Sequence, residues 1–97
     1  MNGQAEEGQL VLSGLLGLDQ ADSLVRLLRE RITGTAAGER VEVDLSGVTD
    51  VDTAALQIFV AARRTAEQSG KKLLLSSAND TLLDRFRLAG LEFLCRS

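Results

Sequence analysis

The hydrophobic residues of this chain switch repeatedly between the spacing of β-strands and the spacing of α-helices. Val41, Val43 and Leu45 alternate with polar residues, which is typical of a strand with one buried face. Apolar residues at helical spacing follow, beginning with Ala55 and Phe59. Strands separated by helices need crossover connections, which place the strands parallel with the helices packed on the sheet. The 97 residues are enough for one such α/β domain and too few for two.

The same spacing predicts the element order ββαβαβα along the chain. The predicted strands are Leu10–Leu12, Leu15–Leu18, Val41–Leu45 and Leu73–Leu75. The predicted helices begin at Ala21, Asp52 and Asp80, and they end near Gly34, Gly70 and Gly90. The stretch 91–95 fits either a further edge strand or a short helix, so the sheet is expected to have four to five strands. Residues 1–8 carry no apolar pattern and are predicted to form a flexible tail before a single domain over residues 9–97.

Polar residues at the helix boundaries predict how each helix begins. Asp19, Asp52 and Asn79 lie at or just before the starts of the three helices and are predicted N-caps, because such side chains accept hydrogen bonds from the first helical amides. The small and polar residues of 46–50 predict a turn between the third strand and the second helix. That turn would bring Asp50 and Asp52 to the start of the second helix.

Composition excludes several classes of function. The net charge of −3 and the near absence of aromatic residues argue against nucleic-acid binding, which needs a basic surface or stacking platforms. The chain has no His, which excludes His-based triads and His zinc sites. Cys95 is the single cysteine and is expected to be inert. No apolar run reaches the ~20 residues of a membrane span and no signal peptide is recognised, so a cytoplasmic location without membrane insertion is expected.

The start of the second helix carries the most chemical information. Helix N-termini present unpaired amides and the positive end of the helix dipole, so they attract anions. Thr53 follows Asp52 at the first helical position, where its hydroxyl would face solvent or a partner. A phosphate there would add about −1.5 to −2 charges, which the helix start tolerates but the carboxylates of Asp50 and Asp52 repel. Such a modification would change a surface without unfolding the domain.

The acidic residues around this turn have simpler interpretations as well. Asp52 can serve only as a helix cap, and a first-turn Thr is common without any function. Asp44, Asp50 and Asp52 offer oxygen ligands of the kind that Mg²⁺ takes, but acidic residues at a turn are more often solvated. No metal and no cofactor are therefore predicted.

Residues 43–56, VDLSGVTDVDTAAL, resemble the strand, acidic turn and helix start of the STAS family, the anti-sigma-factor antagonist-like domains. Weaker similarities at 12–14, 18–19, 70–71 and 88–91 extend the resemblance over most of the chain. The resemblance implies a mixed sheet with packed helices and a domain that binds a protein without catalysing a reaction. The expected partner is an anti-sigma kinase or another signalling protein, and no nucleic acid.

The resemblance also implies the functional residues. In family members that act as phospho-switches, the hydroxyl residue directly after the Asp at this helix start accepts the phosphate, and this position is Thr53 here. Ala54 stands where a second hydroxyl residue is usual, and Ala55 stands where the family has glycine. The residues expected to contact the partner are Asp19, Ser46, Asp50, Asp52, Thr53, Ala54 and Gln57.

Two further branches of the family fit the Asp-Thr-Ala variant of this segment. One is the small STAS subunit of Mla-type phospholipid ABC transporters, which docks on the ATPase. The other is the group of short STAS proteins similar to those of bacterial chemotaxis clusters, where the match extends through Gln57. In each branch the resemblance implies a protein partner.

Overall fold

A computed structural model describes the backbone of residues 2–6 and 9–95, and the side chains of residues 9–95. The strands are β1 (Asn2–Glu6), β2 (Gln9–Leu16), β3 (Arg40–Val51) and β4 (Lys72–Ser76). The helices are α1 (Ala21–Thr33), α2 (Thr53–Gln68) and α3 (Asp80–Leu88). Two short 3₁₀ turns cover Leu18–Gln20 and Glu92–Cys95.

The described strands form one mixed sheet in the order β1-β2-β3-β4. β2, β3 and β4 run parallel, whereas β1 pairs with β2 in the antiparallel direction. β3 is much longer than β4: its last partner in β4 is Ser76, opposite Asp44, and β3 then continues beside β2 as far as Val51. The carboxyl ends of β2 and β3 therefore lie together, beyond the end of β4.

The beginning of the chain differs from the sequence prediction. Asn2–Glu6 form β1 rather than a flexible tail, while residues 1, 7 and 8 lie outside the described residues. The two strands expected at Leu10–Leu12 and Leu15–Leu18 are one strand, β2, which passes through Gly14 with a φ of 83°. Glycine takes this left-handed conformation without steric cost, so the strand continues where a break was expected. Within residues 9–95 the sheet consequently has three strands and not four.

The turn predicted at residues 46–50 is also wrong, because β3 continues through it to Val51. Leu45, Val48 and Val51 are all buried although they lie three residues apart. Two register shifts against β2 explain this spacing, since each places one extra residue in β3 and restores the apolar face to the core. Gly47 permits the first shift: a Cβ there would lie 3.0 Å from the Cβ of Ser13 and 3.2 Å from the Leu12 carbonyl oxygen.

The core lies between the sheet and the apolar faces of the helices. α1 contributes Leu24, Leu28 and Ile32, which are buried at the predicted helical spacing. Phe59 of α2 and Phe86 of α3 are fully buried, with ring centroids 6.0 Å apart. A Phe→Ala change at such a site typically costs about 3–5 kcal/mol, because the lost contacts leave a cavity. These two rings join α2 and α3 into the same core.

The end of the described chain resolves the alternative left open by the sequence. Glu92–Cys95 form a 3₁₀ turn and not an edge strand. Leu94 is buried in this turn, and the guanidinium of Arg63 lies 4.4 Å from the centroid of the Phe93 ring. None of the helices in residues 9–95 has both the length and the apolar character that crossing a membrane requires.

Candidate functional site

The carboxylate of Asp52 connects the ends of β2 and β3. Its Oδ1 accepts a hydrogen bond of 3.1 Å from the Ala55 amide, which confirms Asp52 as the N-cap of α2. Its Oδ2 accepts a second hydrogen bond of 3.0 Å from the amide of Leu18, in the 3₁₀ turn after β2. The Asp52 amide donates to the Leu16 carbonyl oxygen at 3.1 Å. Asp52 thus fixes the position of the loop before α1 relative to the start of α2.

Gly17 makes room for this arrangement. A Cβ at Gly17 would lie 2.9 Å from Asp52 Oδ2, which is closer than any ordinary contact. The backbone of Gly17 is extended, so the close approach to the carboxylate, and not the backbone angle, requires glycine. Sequence reasoning did not identify this residue, because the contact depends on how the two loops meet.

Asp19 is exposed in the 3₁₀ turn and does not cap α1. The N-cap of α1 is Gln20, which makes no capping bond through its side chain, so the predicted cap at Asp19 is wrong. Gln20 Oε1 instead accepts a hydrogen bond of 3.1 Å from the Gly17 amide. Asp19 nevertheless follows Leu18, whose amide binds Asp52, and therefore lies near the start of α2.

Thr53 is the first residue of α2 and is exposed. Among the described residues, its hydroxyl has no hydrogen-bond partner. It stands at the N-terminus of a helix of 16 residues, where the helix dipole favours an anion. Gln57 is exposed one turn further along α2, and Ala54 is half-buried. The geometry leaves the Thr53 hydroxyl available to react or to bind.

Asp50 is held by an arginine that the sequence did not indicate. Arg85 Nε donates to Asp50 Oδ1 and a terminal Arg85 nitrogen donates to Oδ2, both at 3.0 Å. Hydrogen bonds from Arg85 and from the Val51 amide lower the pKa of Asp50, and the bond to Asp50 raises the pKa of Arg85. The two residues are 35 positions apart, so only the packing of α3 against β3 brings them together.

Ser46 does not join the other predicted contact residues. Its amide donates to Asp44 Oδ1 at 2.7 Å, near the point where β3 passes the end of β4. Five residues of β3 lie between Ser46 and Asp52, which places the two residues about 15–20 Å apart. The site near the start of α2 therefore contains Asp19, Asp50, Asp52, Thr53, Ala54 and Gln57, whereas Ser46 lies apart.

Two exposed leucines flank the same site and were assigned to a strand by the sequence prediction. Leu15 is 60% exposed and pairs in register with Asp50, and Leu18 is 72% exposed beside Asp52. Leu15 and Leu18 therefore place exposed apolar surface beside Asp50 and Asp52. We name the surface formed by Leu15, Leu18, Asp52 and Thr53 the α2 entry surface.

The other residues considered for chemistry are the acidic side chains and Cys95, and within residues 9–95 they form no metal site. Asp44, Asp50 and Asp52 each bind a different partner, and residues 9–95 contain no group of three acidic or Cys side chains placed to hold a metal ion. Cys95 is half-buried, and this burial raises its pKa, which disfavours the reactive thiolate.

The fold and the site together define a small mixed α/β domain with an exposed hydroxyl at one helix start. The family model described as "Mlab, STAS domain" matches residues 1–95, so this chain belongs to that STAS family. The resemblance found in residues 43–56 is thereby confirmed. Among curated proteins, no sequence gives a significant match to the chain.

Several solved structures share this fold. A protein from Thermotoga maritima, described as a candidate anti-sigma factor antagonist, superposes with a TM-score of 0.76 at 18% identity, covering 96% of this chain and 80% of that one. The anti-sigma factor antagonist SpoIIAA in its unphosphorylated form superposes with a TM-score of 0.74 at 14% identity, covering 96% of this chain and 83% of that one. A sulfate transporter family protein from Wolinella succinogenes superposes with a TM-score of 0.73 at 22% identity, covering 94% of this chain and 75% of that one. At these identities the likeness concerns the fold.

Proposed function

We propose that this protein is a non-catalytic regulatory module that binds a kinase-type or signalling protein at the α2 entry surface. The observation that carries the proposal is the exposed Thr53 hydroxyl at the start of α2, without a partner among the described residues. Leu15 and Leu18 supply apolar contact area beside it, and apolar anchors with a polar rim are typical of protein interfaces. The likeness to anti-sigma factor antagonist structures supports the same conclusion.

Phosphorylation of Thr53 would regulate this binding. The partner kinase would transfer the γ-phosphoryl group of ATP to Thr53 Oγ1, releasing ADP and the hydroxyl proton. The start of α2 tolerates the added charge, while the Asp52 carboxylate next to it makes the surface strongly negative. Because Asp52 is held by Ala55 and Leu18, the loops would keep their positions and only the charge and shape offered to the partner would change.

Mass spectrometry after incubation with candidate kinases and ATP tests the switch. We expect a gain of one phosphate that is lost in Thr53→Ala and kept in Thr81→Ala. Thr81 is a matched control, since it is also exposed in the first turn of a helix. A phosphate that persists in Thr53→Ala, or no phosphate with any partner that binds the protein, would refute the switch.

A second candidate is an accessory subunit that docks on the ATPase of an Mla-type lipid ABC transporter. The family match over residues 1–95 supports this alternative. Both candidates use the α2 entry surface, but they differ in the response to charge at Thr53. Thr53→Glu should abolish binding to a kinase-type partner that phosphorylates the site. Purification of the bound partner from native cells, with wild type and Thr53→Glu in parallel, distinguishes a kinase from an ABC ATPase.

A further inference from the structure

An apolar groove lies between α1 and α2, and Gln57 lines it at the end nearer to the start of α2. Its volume is about 240 Å³, and its lining includes Leu28 and Ile32 of α1 and Ile58, Ala61 and Ala62 of α2. Ala61 is exposed, while Leu28 and Ile32 belong to the core, so the groove opens from the core to the solvent. The short side chains of the two alanines leave the space that larger residues would fill.

Among residues 9–95, the lining of the groove includes a single charged residue. Arg29 of α1 is exposed at this position and forms no ion pair with any of residues 9–95. The other polar lining residues are Gln57 and Thr65, and the Thr65 hydroxyl already donates to the Ala61 carbonyl oxygen at 3.1 Å. An apolar groove with the guanidinium of Arg29 in its lining complements a ligand that has an apolar chain and one negative charge.

The size of the groove restricts the ligand further. Its 240 Å³ falls below the ~300–1,000 Å³ of common cofactor and drug-sized sites, so a small ligand fits better than a cofactor-sized one. We propose that this groove binds a medium-chain carboxylate, with the hydrocarbon chain between α1 and α2 and the carboxylate at Arg29. This inference does not depend on Thr53 or on the proposed function.

Decanoate, used below its micelle-forming concentration, is the probe. We expect saturable shifts of the amide signals of Leu28, Arg29 and Ala61 in ¹⁵N–¹H NMR spectra of the full chain. Each methylene that enters the groove should tighten binding about fourfold, so decanoate should bind about tenfold or more tightly than octanoate. The absence of saturable shifts at these amides would overturn the proposal, and a segment of a protein partner would then be the better occupant.

Two variants test the two parts of the ligand. Ala61→Phe fills the groove from an exposed position and should weaken decanoate binding more than tenfold. Arg29→Gln should weaken decanoate about two- to fivefold, as expected for an exposed ion pair, and leave decanol unchanged. Arg26→Gln, on the same helix but outside the groove, is the matched control and should have no effect. Equal losses in Arg29→Gln and Arg26→Gln, or full binding in folded Ala61→Phe, would overturn the assignment.

Discussion

Arg85 binds Asp50 through two parallel hydrogen bonds of 3.0 Å, and this ion pair connects α3 to the carboxyl end of β3. Both side chains remain partly exposed, at 50% and 33%, so water screens their attraction. The pair therefore sets the position of α3 near the α2 entry surface more than it sets the overall stability.

The stabilising effect of this pair should depend on pH. Arg85 lowers the pKa of Asp50 in the folded protein. The pair therefore contributes its full stabilisation above the pKa of an Asp in the unfolded chain, about 3.9, and this stabilisation is lost as the pH falls through the pKa of Asp50 in the folded protein. Arg85→Gln should accordingly be less stable than wild type at pH 7, with the difference shrinking at pH 3 and below. Urea unfolding at both pH values measures this. Arg64→Gln, exposed and without an ion pair among residues 9–95, should show no such trend.

Removing the Asp52 carboxylate should destabilise the domain. Asp52→Ala leaves the Ala55 and Leu18 amides without their acceptor, and loss of an N-cap alone costs about 1 kcal/mol. Asp52→Asn keeps an acceptor and should lose less. Asp19→Ala serves as the control and should change the free energy of unfolding by less than about 0.5 kcal/mol, because Asp19 caps no helix. Equal losses at the two positions would contradict the role given to Asp52.

Gly17→Ala should act through Asp52. The new methyl group would displace Asp52 Oδ2, which lies 2.9 Å from the added Cβ, and so break the bond to Leu18. The variant should destabilise the fold, but much less in an Asp52→Ala background, with a coupling of about 0.5–3 kcal/mol. A double-mutant cycle by chemical denaturation measures this coupling. Gly47→Ala, whose added Cβ would meet Ser13 and Leu12, should instead be additive with Asp52→Ala.

The exposed leucines should matter for partner binding and not for stability. Leu18→Ser removes an apolar anchor from the α2 entry surface and should weaken partner binding about fivefold or more, because truncating a residue that contributes to an interface costs about 1 kcal/mol or more. Leu88→Ser is the matched control, because Leu88 is 84% exposed at the end of α3. Binding titrations with the purified partner measure both variants, and equal losses would exclude the α2 entry surface as the docking site.

The sequence predicted those elements whose apolar residues keep a regular period. α2, β4 and α3 were predicted closely, since residues such as Phe59, Leu82 and Phe86 are spaced as a buried helix face requires and are buried. The caps at Asp52 and Asn79 were predicted because their capping bonds are local, to Ala55 and Leu82.

The parts that the sequence did not predict depend on contacts between distant segments. The length of β3 was missed because Val48 and Val51 return to the core only through register shifts against β2. Neither Arg85 nor Gly17 carries a local signal, since each acts on an aspartate 35 positions away in the chain. Such relationships follow from the packing of whole elements, which hydrophobic period alone does not determine.

The excess length of β3 has a consequence for association between molecules. Beyond the Asp44–Ser76 pair, no strand in the described part of the chain pairs with the β4 side of β3. Asn79 covers part of this edge, because its side-chain amide donates to the Val48 carbonyl oxygen at 3.2 Å while its oxygen caps α3. An uncovered strand edge is a template for intermolecular β-pairing. Detachment of α3 would therefore favour aggregation of otherwise folded molecules.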